Sequence, residues 1–195
     1  MRVLPREFYE RKTEAVARGL LGKLLVRRGV EGETGGVIVE TEAYLGEGDP
    51  ASRASRGKTR RNEIMWGRGG LAFIDMVHGR WLLNITTERP GRAGAVLVRA
   101  IEPTIGVEMM MRRRGTDRIT ELASGPGKLT EAMGITRELH GTDLTDPSGP
   151  LVVLDEGRKV GVARSHRIGV GEDLPEPLRF FVPGSPFVSR ARGNP

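Results

Sequence analysis

The stretch from Gly35 to Gly46, GGVIVETEAYLG, constrains the fold more than any other part of the chain. Val37, Ile38, Val39, Thr41 and Tyr44 are strong strand formers, and glycine bounds the run at both ends, so it reads as a β-strand. Side chains alternate along a strand, which puts Ile38, Glu40, Glu42 and Tyr44 on one face and Val37, Val39, Thr41 and Ala43 on the other. The two carboxylates would then lie about 7 Å apart at their Cβ atoms. A solvent-facing strand is the plain reading of this pattern. Two acids and an aromatic among so many apolar residues also mark a candidate site.

The remaining composition narrows the setting. At 195 residues the chain suits one domain with a proper core and is short for two, and residues 1–195 read as a single domain. It has no apolar run of the roughly eighteen residues that a membrane helix needs, and the N-terminus MRVLPRE lacks the apolar core of a signal peptide. The expected setting is the cytoplasm of a prokaryote or the nucleus of a eukaryote. With no cysteine, disulfides and thiolate metal sites are ruled out, and His78, His140 and His166 lie far apart, so neither metal nor cofactor is expected.

Lys and Arg number 31 against 25 Asp and Glu, a formal charge of +6 that favours a polyanionic partner, nucleic acid above all. The distribution is more informative than the total. Arg53, Arg56, Lys58, Arg60, Arg61 and Arg68 crowd one segment with only Glu63 opposing them. Such a loop repels itself unless something anionic lies over it, the bland reading being a solvated loop.

Taken in order, Thr13 is expected to cap a helix that buries Val16, Leu20 and Leu21 and ends at Gly22. Residues 23–28 then form a strand that turns through Gly29–Gly35 into the acidic strand as a hairpin. Residues 71–86 form a second hairpin turning at His78-Gly79. Ala93–Ile101 is a strand that is apolar on both faces apart from Arg99. A lone arginine in such a run needs a carboxylate, and Glu40 and Glu42 are the available partners. Pro103 is expected to open a helix running to Arg114, with the methionines at 109–111 packed in the core and Arg112–Arg114 solvated. Pro126 starts a short helix ended by Gly134, and Lys128 in its first turn points to an anion there, read as a phosphate of a nucleic-acid backbone. Residues 151–154, 159–163, 167–171 and 178–182 read as short strands.

Five stretches in order, 39–46 (VETEAYLG), Arg61-Asn62, 96–103 (VLVRAIEP), 124–129 (SGPGKL) and 178–189 (LRFFV with GSPFVS), resemble the alkyladenine (3-methyladenine) DNA glycosylases of the mammalian type. The resemblance runs from about residue 14 to 189. It implies a single α+β domain, with a curved, mainly antiparallel, open-barrel-like sheet flanked by short helices and a protruding β-hairpin that inserts into DNA. It also implies a monomeric, monofunctional enzyme on double-stranded DNA, with no membrane and no cofactor. Glu42 falls on the general base, Arg99 and Ile168 on the residues that hold the water (Ile168 through its backbone carbonyl), and Tyr44 on an aromatic that stacks on the flipped base. Asn84 falls on the pocket asparagine that rejects guanine. Glu40 is not the base. Arg56, Lys58, Arg60, Arg61, His78 and Lys128 are the residues expected on DNA.

The chain departs from that pattern in two places. Arg53 stands where the family has a base-stacking histidine, and a guanidinium can stack there. Ala72, Ile74 and Val77 or His78 stand where the family's hairpin carries tyrosines, and the run is one residue short before Asn84. A changed or narrower lesion range follows. Two other readings are a damaged-DNA or RNA binding protein with weak chemistry on the same scaffold, and an O-glycoside hydrolase using both acids.

Overall fold

The computed structural model describes residues 1–190. The elements in chain order are β1 (Arg2–Val3), α1 (Arg6–Tyr9), α2 (Thr13–Leu20), β2 (Leu24–Gly29), β3 (Gly32–Tyr44), β4 (Ala72–Val77), β5 (Arg80–Thr86) and β6 (Ala95–Ile105). There follow α3 (Val107–Arg114), α4 (Ile119–Leu122), α5 (Pro126–Met133), β7 (Leu151–Asp155), β8 (Ala163–Ser165) and β9 (Arg179–Phe181). Among the described residues the strands form one antiparallel sheet in the order β1-β7-β2-β3-β6-β5-β4, with β9 also on β3 and β8 on β9. The architecture is the expected α+β one, a curled antiparallel sheet with short helices.

The acidic strand is the hub. β3 takes β2 as a neighbour along Gly32–Val37 and β9 along Glu40–Glu42, while β6 runs down its other edge. This two-partner arrangement is why Glu40 and Glu42 are enclosed. Gly36 sits where β3 and β6 shift register: a Cβ there would come within 2.2 Å of the Glu102 carbonyl oxygen. No side chain fits that crossing.

Two irregularities redirect the side chains. Ile38 pairs with Ile101 and Glu40 with Ala100, so Val39 is skipped; Thr41 then pairs with Val98, so Arg99 is skipped. An extra residue on a strand turns the following side chains over. Ile38 and Ala43 therefore both enter the main core, and the Thr41 hydroxyl donates to the Ala17 carbonyl of α2 at 2.9 Å. The strict alternation expected from sequence is corrected: Ile38 does not share the face of Glu40, Glu42 and Tyr44.

Val16, Ala17 and Leu20 of α2 pack with Ile38, Val98 and Ile101, and Leu129, Ala132 and Met133 of α5 join the same core. Leu24, Val26, Val37 and Val152 form a smaller cluster on the other side of β2, β3 and β7. A third, Ala54 and Met65 against Phe73 and Ala95, pins the basic segment onto the sheet.

Other expectations hold or shift. The β2–β3 hairpin, the turn at His78-Gly79 and the helix Pro126–Met133 stopped by Gly134 are as read, while of the three methionines Met110 is buried in the core, Met111 packs against it, and Met109 is half-buried outside it. Thr13 is the first helical residue and not the cap; its N–H and hydroxyl both donate to Glu88 Oε1, at 2.8 and 3.0 Å. Pro103 lies inside β6 opposite Gly36, next to a register shift where its missing N–H is tolerated, and the helix starts only after Gly106. Arg113 pairs with Glu31 and Arg114 with Glu131, so the arginine run is only partly solvated. Residues 159–162 and 167–171 form no strand.

Candidate active site

The register of five strands draws a row of side chains across one face of the sheet: Phe73 opposite Asn84, Asn84 opposite Leu97, Leu97 opposite Glu42, and Glu42 opposite Arg179. Over this face opens a cleft of about 670 Å³ whose lining includes Tyr44, Phe73, Asn84, Leu97, Arg99 and Ile168. Glu42 itself is fully buried behind that lining, in contact with three of its members, Tyr44, Arg99 and Ile168.

The two glutamates differ in what surrounds them. Glu40 accepts from Arg99 Nε at 3.0 Å, from Arg179 Nε at 2.7 Å, and from the backbone N–H and hydroxyl of Ser189, each at 2.7 Å. Three of these bonds fall on Oε1 and one on Oε2, so Glu40 is held by four bonds from two cations and a serine. It is a buried structural anion. Glu42 accepts from the Tyr44 hydroxyl at 2.9 Å and Arg99 Nη1 at 3.2 Å on Oε2, and from the Ile168 N–H at 2.7 Å on Oε1. Oε1 therefore has acceptor capacity beyond Ile168.

Burial lifts the Glu42 carboxyl above its ordinary value, while Arg99, the Ile168 N–H and the Tyr44 hydroxyl pull it back down. Burial alone would lower the Arg99 guanidinium, but Glu42 and Glu40 carry it upward, so it stays charged. Burial, and then the Glu42 charge, keeps the proton on the Tyr44 phenol. The arrangement is a basic carboxylate held by a fixed cation and a neutral donor, suited to taking a proton.

Behind Tyr44 lies a second ionic cluster. Arg167 Cζ sits 4.7 Å from the centre of the Tyr44 ring, and its two terminal nitrogens each donate to Asp49 at 2.7 Å. Arg167 Nε donates to Asp173 Oδ1 at 2.8 Å.

The remaining sequence candidates spread around the cleft. Asn84 lines it, with its amide nitrogen donating to the Phe73 carbonyl at 3.2 Å. Arg53 also lines it, with Nε on Asp75 Oδ2 at 2.6 Å, and Arg61 holds the other oxygen of Asp75 at 2.6 Å. His78 and Gly79 both have positive φ, 48° and 73°, the conformation of a type I′ turn, and His78 reaches the cleft edge. Arg56, Lys58 and Arg60 are exposed on the loop that Asn62 closes by bonding to the Arg53 and Gly57 carbonyls and the Thr59 N–H. Lys128 stands at the start of α5, 3.9 Å from Glu121, beside a separate groove that also touches Arg80 and Arg114. Ile168 is in the site through its N–H.

Asp49, Asp75, Arg167, Asp173, Arg179 and Ser189 join the site without having stood out in the sequence. Arg179 carries a usable signal: like Arg99 it is a lone cation in an apolar run, 178–182 (LRFFV), and it too pairs with Glu40.

The model of the methylpurine-DNA glycosylase family matches residues 7–186 of this chain. The chain belongs to the methylpurine-DNA glycosylase family. It is thereby an enzyme, a hydrolase of the DNA-glycosylase type. A relative from Methanoculleus marisnigri, named as a 3-methyladenine DNA glycosylase, is 48% identical over 193 residues, covering 96% of this chain and 98% of its own. One from Methanocella arvoryzae with the same name is 48% identical over 200 residues and all of both chains. A third, from Koribacter versatilis, is 42% identical across 97% of this chain and 94% of its own. The methylpurine-DNA glycosylase match takes in β3, β6, β9 and Ile168, and so the three described residues that hydrogen-bond Glu42.

Proposed function

We propose that this enzyme removes alkylated purines of the 3-methyladenine type from double-stranded DNA, as a monofunctional glycosylase that begins base excision repair. The observation that carries the reading is the contrast between Glu40, held by four bonds from Arg99, Arg179 and Ser189, and Glu42, raised in basicity and held by three bonds, all from Tyr44, Arg99 and Ile168 of the cleft lining. Glu42 is the general base. A water bound to Oε1 gives its proton to the carboxylate as its oxygen attacks C1′. The C1′–N bond breaks, and the purine leaves with the electron pair.

An N-alkylated purine is cationic and becomes neutral on leaving, so no general acid is needed on that side. General-base assistance of this kind is worth about 10²–10⁴-fold. Glu42 and Glu40 also supply the negative charge that favours an oxocarbenium-like sugar.

The flipped base would lie in the cleft on the Tyr44 ring, whose other side Arg167 supports, with Asn84 and Arg53 on the walls. Extruding a base costs a few kcal/mol and is cheapest for a damaged one, with stacking in the cleft offsetting it. Ala72 and Ile74 are buried in the core and cannot open a base step, which leaves Met76, Val77 and His78 at the hairpin end for that role. None is aromatic in the manner of a tyrosine, which supports a narrowed lesion range. The exposed Arg56, Lys58 and Arg60, with Lys128, would meet phosphates, and the enzyme acts as a monomer.

Purine release from duplexes carrying 3-methyladenine, 7-methylguanine, ethenoadenine or hypoxanthine tests this. The expected result is release of 3-methyladenine with strands left intact until alkali is added. Salt-sensitive binding of all four with no release would instead favour a binding protein on this scaffold.

A further inference from the structure

The side chains of Arg167 and Asp49 are both fully buried, and each is joined to the other by two bonds of 2.7 Å. Burying such a pair carries a large desolvation cost for each ion, and well-packed apolar residues of similar volume are often as stable. Stability is therefore a poor reason for its presence. Its location suggests a better one.

Arg167 Nη1 also donates to the Ala43 carbonyl at 3.0 Å, in the stretch of backbone between Glu42 and Tyr44. Its guanidinium lies over the Tyr44 ring. Asp49 Oδ2 accepts the N–H of Leu45 at 2.8 Å, so the chain is pinned on both sides of Tyr44. Arg167 is itself fixed, with its backbone N–H on Asp173 Oδ2 at 2.9 Å and its Nε on Oδ1. The next residue is Ile168, whose N–H meets Glu42 Oε1. One guanidinium thus ties together the ring, the strand end and the amide that face the carboxylate.

We propose that Arg167, locked by Asp49, is a positioning residue that holds the Tyr44 ring and the Ile168 N–H in register with Glu42. This rests on Glu42 being the general base. Arg167 does not touch the reacting atoms; it acts through Tyr44 and Ile168. A planar fork is required, because a lysine can carry the charge but cannot hold both oxygens of Asp49 together with Ala43 and Asp173. The groups facing Glu42 are Arg99 from β6, Tyr44 and Glu40 from β3, the Ile168 amide, and Arg179 from the opposite position on β9, whose guanidinium goes to Glu40. Freeing the Ile168 amide removes one of the interactions that hold the carboxylate ionised.

The test is steady-state release of 3-methyladenine by Arg167→Met, Arg167→Lys and Asp49→Asn, with folding checked by circular dichroism. In Arg167→Met kcat should fall about 10- to 100-fold, the range expected for a small displacement of reacting groups, with KM nearly unchanged. The acid limb of its pH profile should move upward, and Arg167→Lys should recover part of kcat. Asp49→Asn keeps the side-chain volume and should give the same signature should Arg167→Met fail to fold. Folded variants with unaltered kcat and acid limb, or with only a raised KM or a lowered Tm, overturn the proposal. If the unaltered protein releases no base, the functional reading falls, and this inference with it.

Discussion

A carboxylate that takes a proton from water needs a spare lone pair and a pKa high enough to hold the proton. Glu42 satisfies both conditions and is held by residues that line the cleft, whereas Glu40 is held by four bonds, two of them from Arg99 and Arg179, although the two are chemically identical and two residues apart on one strand. Burial raises the Glu42 carboxyl in the folded state, so the protonated form is favoured there and its contribution to stability is lost as pH rises through the raised value. Catalysis needs the opposite form. The release rate should therefore fall as pH drops through a value above the 4.5 of an ordinary glutamate, in single-turnover assays from about pH 4 to 8. An acid limb at or below the ordinary value would contradict the raised pKa. Arg99 is legible in the sequence because an arginine in the apolar run 96–101 has to find a carboxylate. Arg167 is not, because it stands in a glycine-punctuated segment where a charge reads as solvated.

Among the elements, the hairpin of β4 and β5 and the loop that precedes it carry the most testable interactions. His78 has φ 48°, a conformation unfavourable for most residues but well suited to asparagine ahead of Gly79. His78→Asn should raise stability by a few tenths to about 1 kcal/mol in thermal unfolding. It should weaken binding to lesion duplexes if His78 meets DNA; unchanged affinity would remove His78 from the interface. Asn62 makes three bonds that close the basic loop, to Arg53, Gly57 and Thr59. Asn62→Ala should cost about 1–3 kcal/mol and lower DNA affinity together, because the loop presenting Arg56, Lys58 and Arg60 loses its closure. The turn at His78-Gly79 and the helix at Pro126 can be read from residue types alone, since glycine and proline act locally. The skipped Val39 and Arg99 cannot, because a bulge is set by the register of strands about 60 residues apart, here Glu40 with Ala100. Strict alternation therefore fails for Ile38, on the far side of the bulge, and holds for the face that Glu42 and Tyr44 share.

For the molecule as a whole, the net charge of +6 and the exposed cations of the basic loop predict binding driven by release of DNA counterions. Replacing Lys58 and Arg60 by alanine should reduce the slope of log affinity against log salt by about 0.9 for each phosphate no longer neutralised, measured by fluorescence anisotropy. An unchanged slope would place the phosphates elsewhere, beside Lys128, Arg80 and Arg114. The curled sheet is foreseen through family resemblance, whereas the residues themselves call for only its hairpins and short strands. The two neighbours that β3 takes in succession, β2 and then β9, depend on the whole topology and leave no local trace. They are also what seals both glutamates inside. The role of Glu42 is tested most directly by single-turnover release of 3-methyladenine by Glu42→Gln compared with Glu40→Gln, each with its affinity for the lesion duplex. Glu42→Gln should bind the duplex and lose at least about 10²-fold in release rate, while any Glu40→Gln protein that folds should keep more activity than Glu42→Gln. Near-normal release by Glu42→Gln would contradict the central claim.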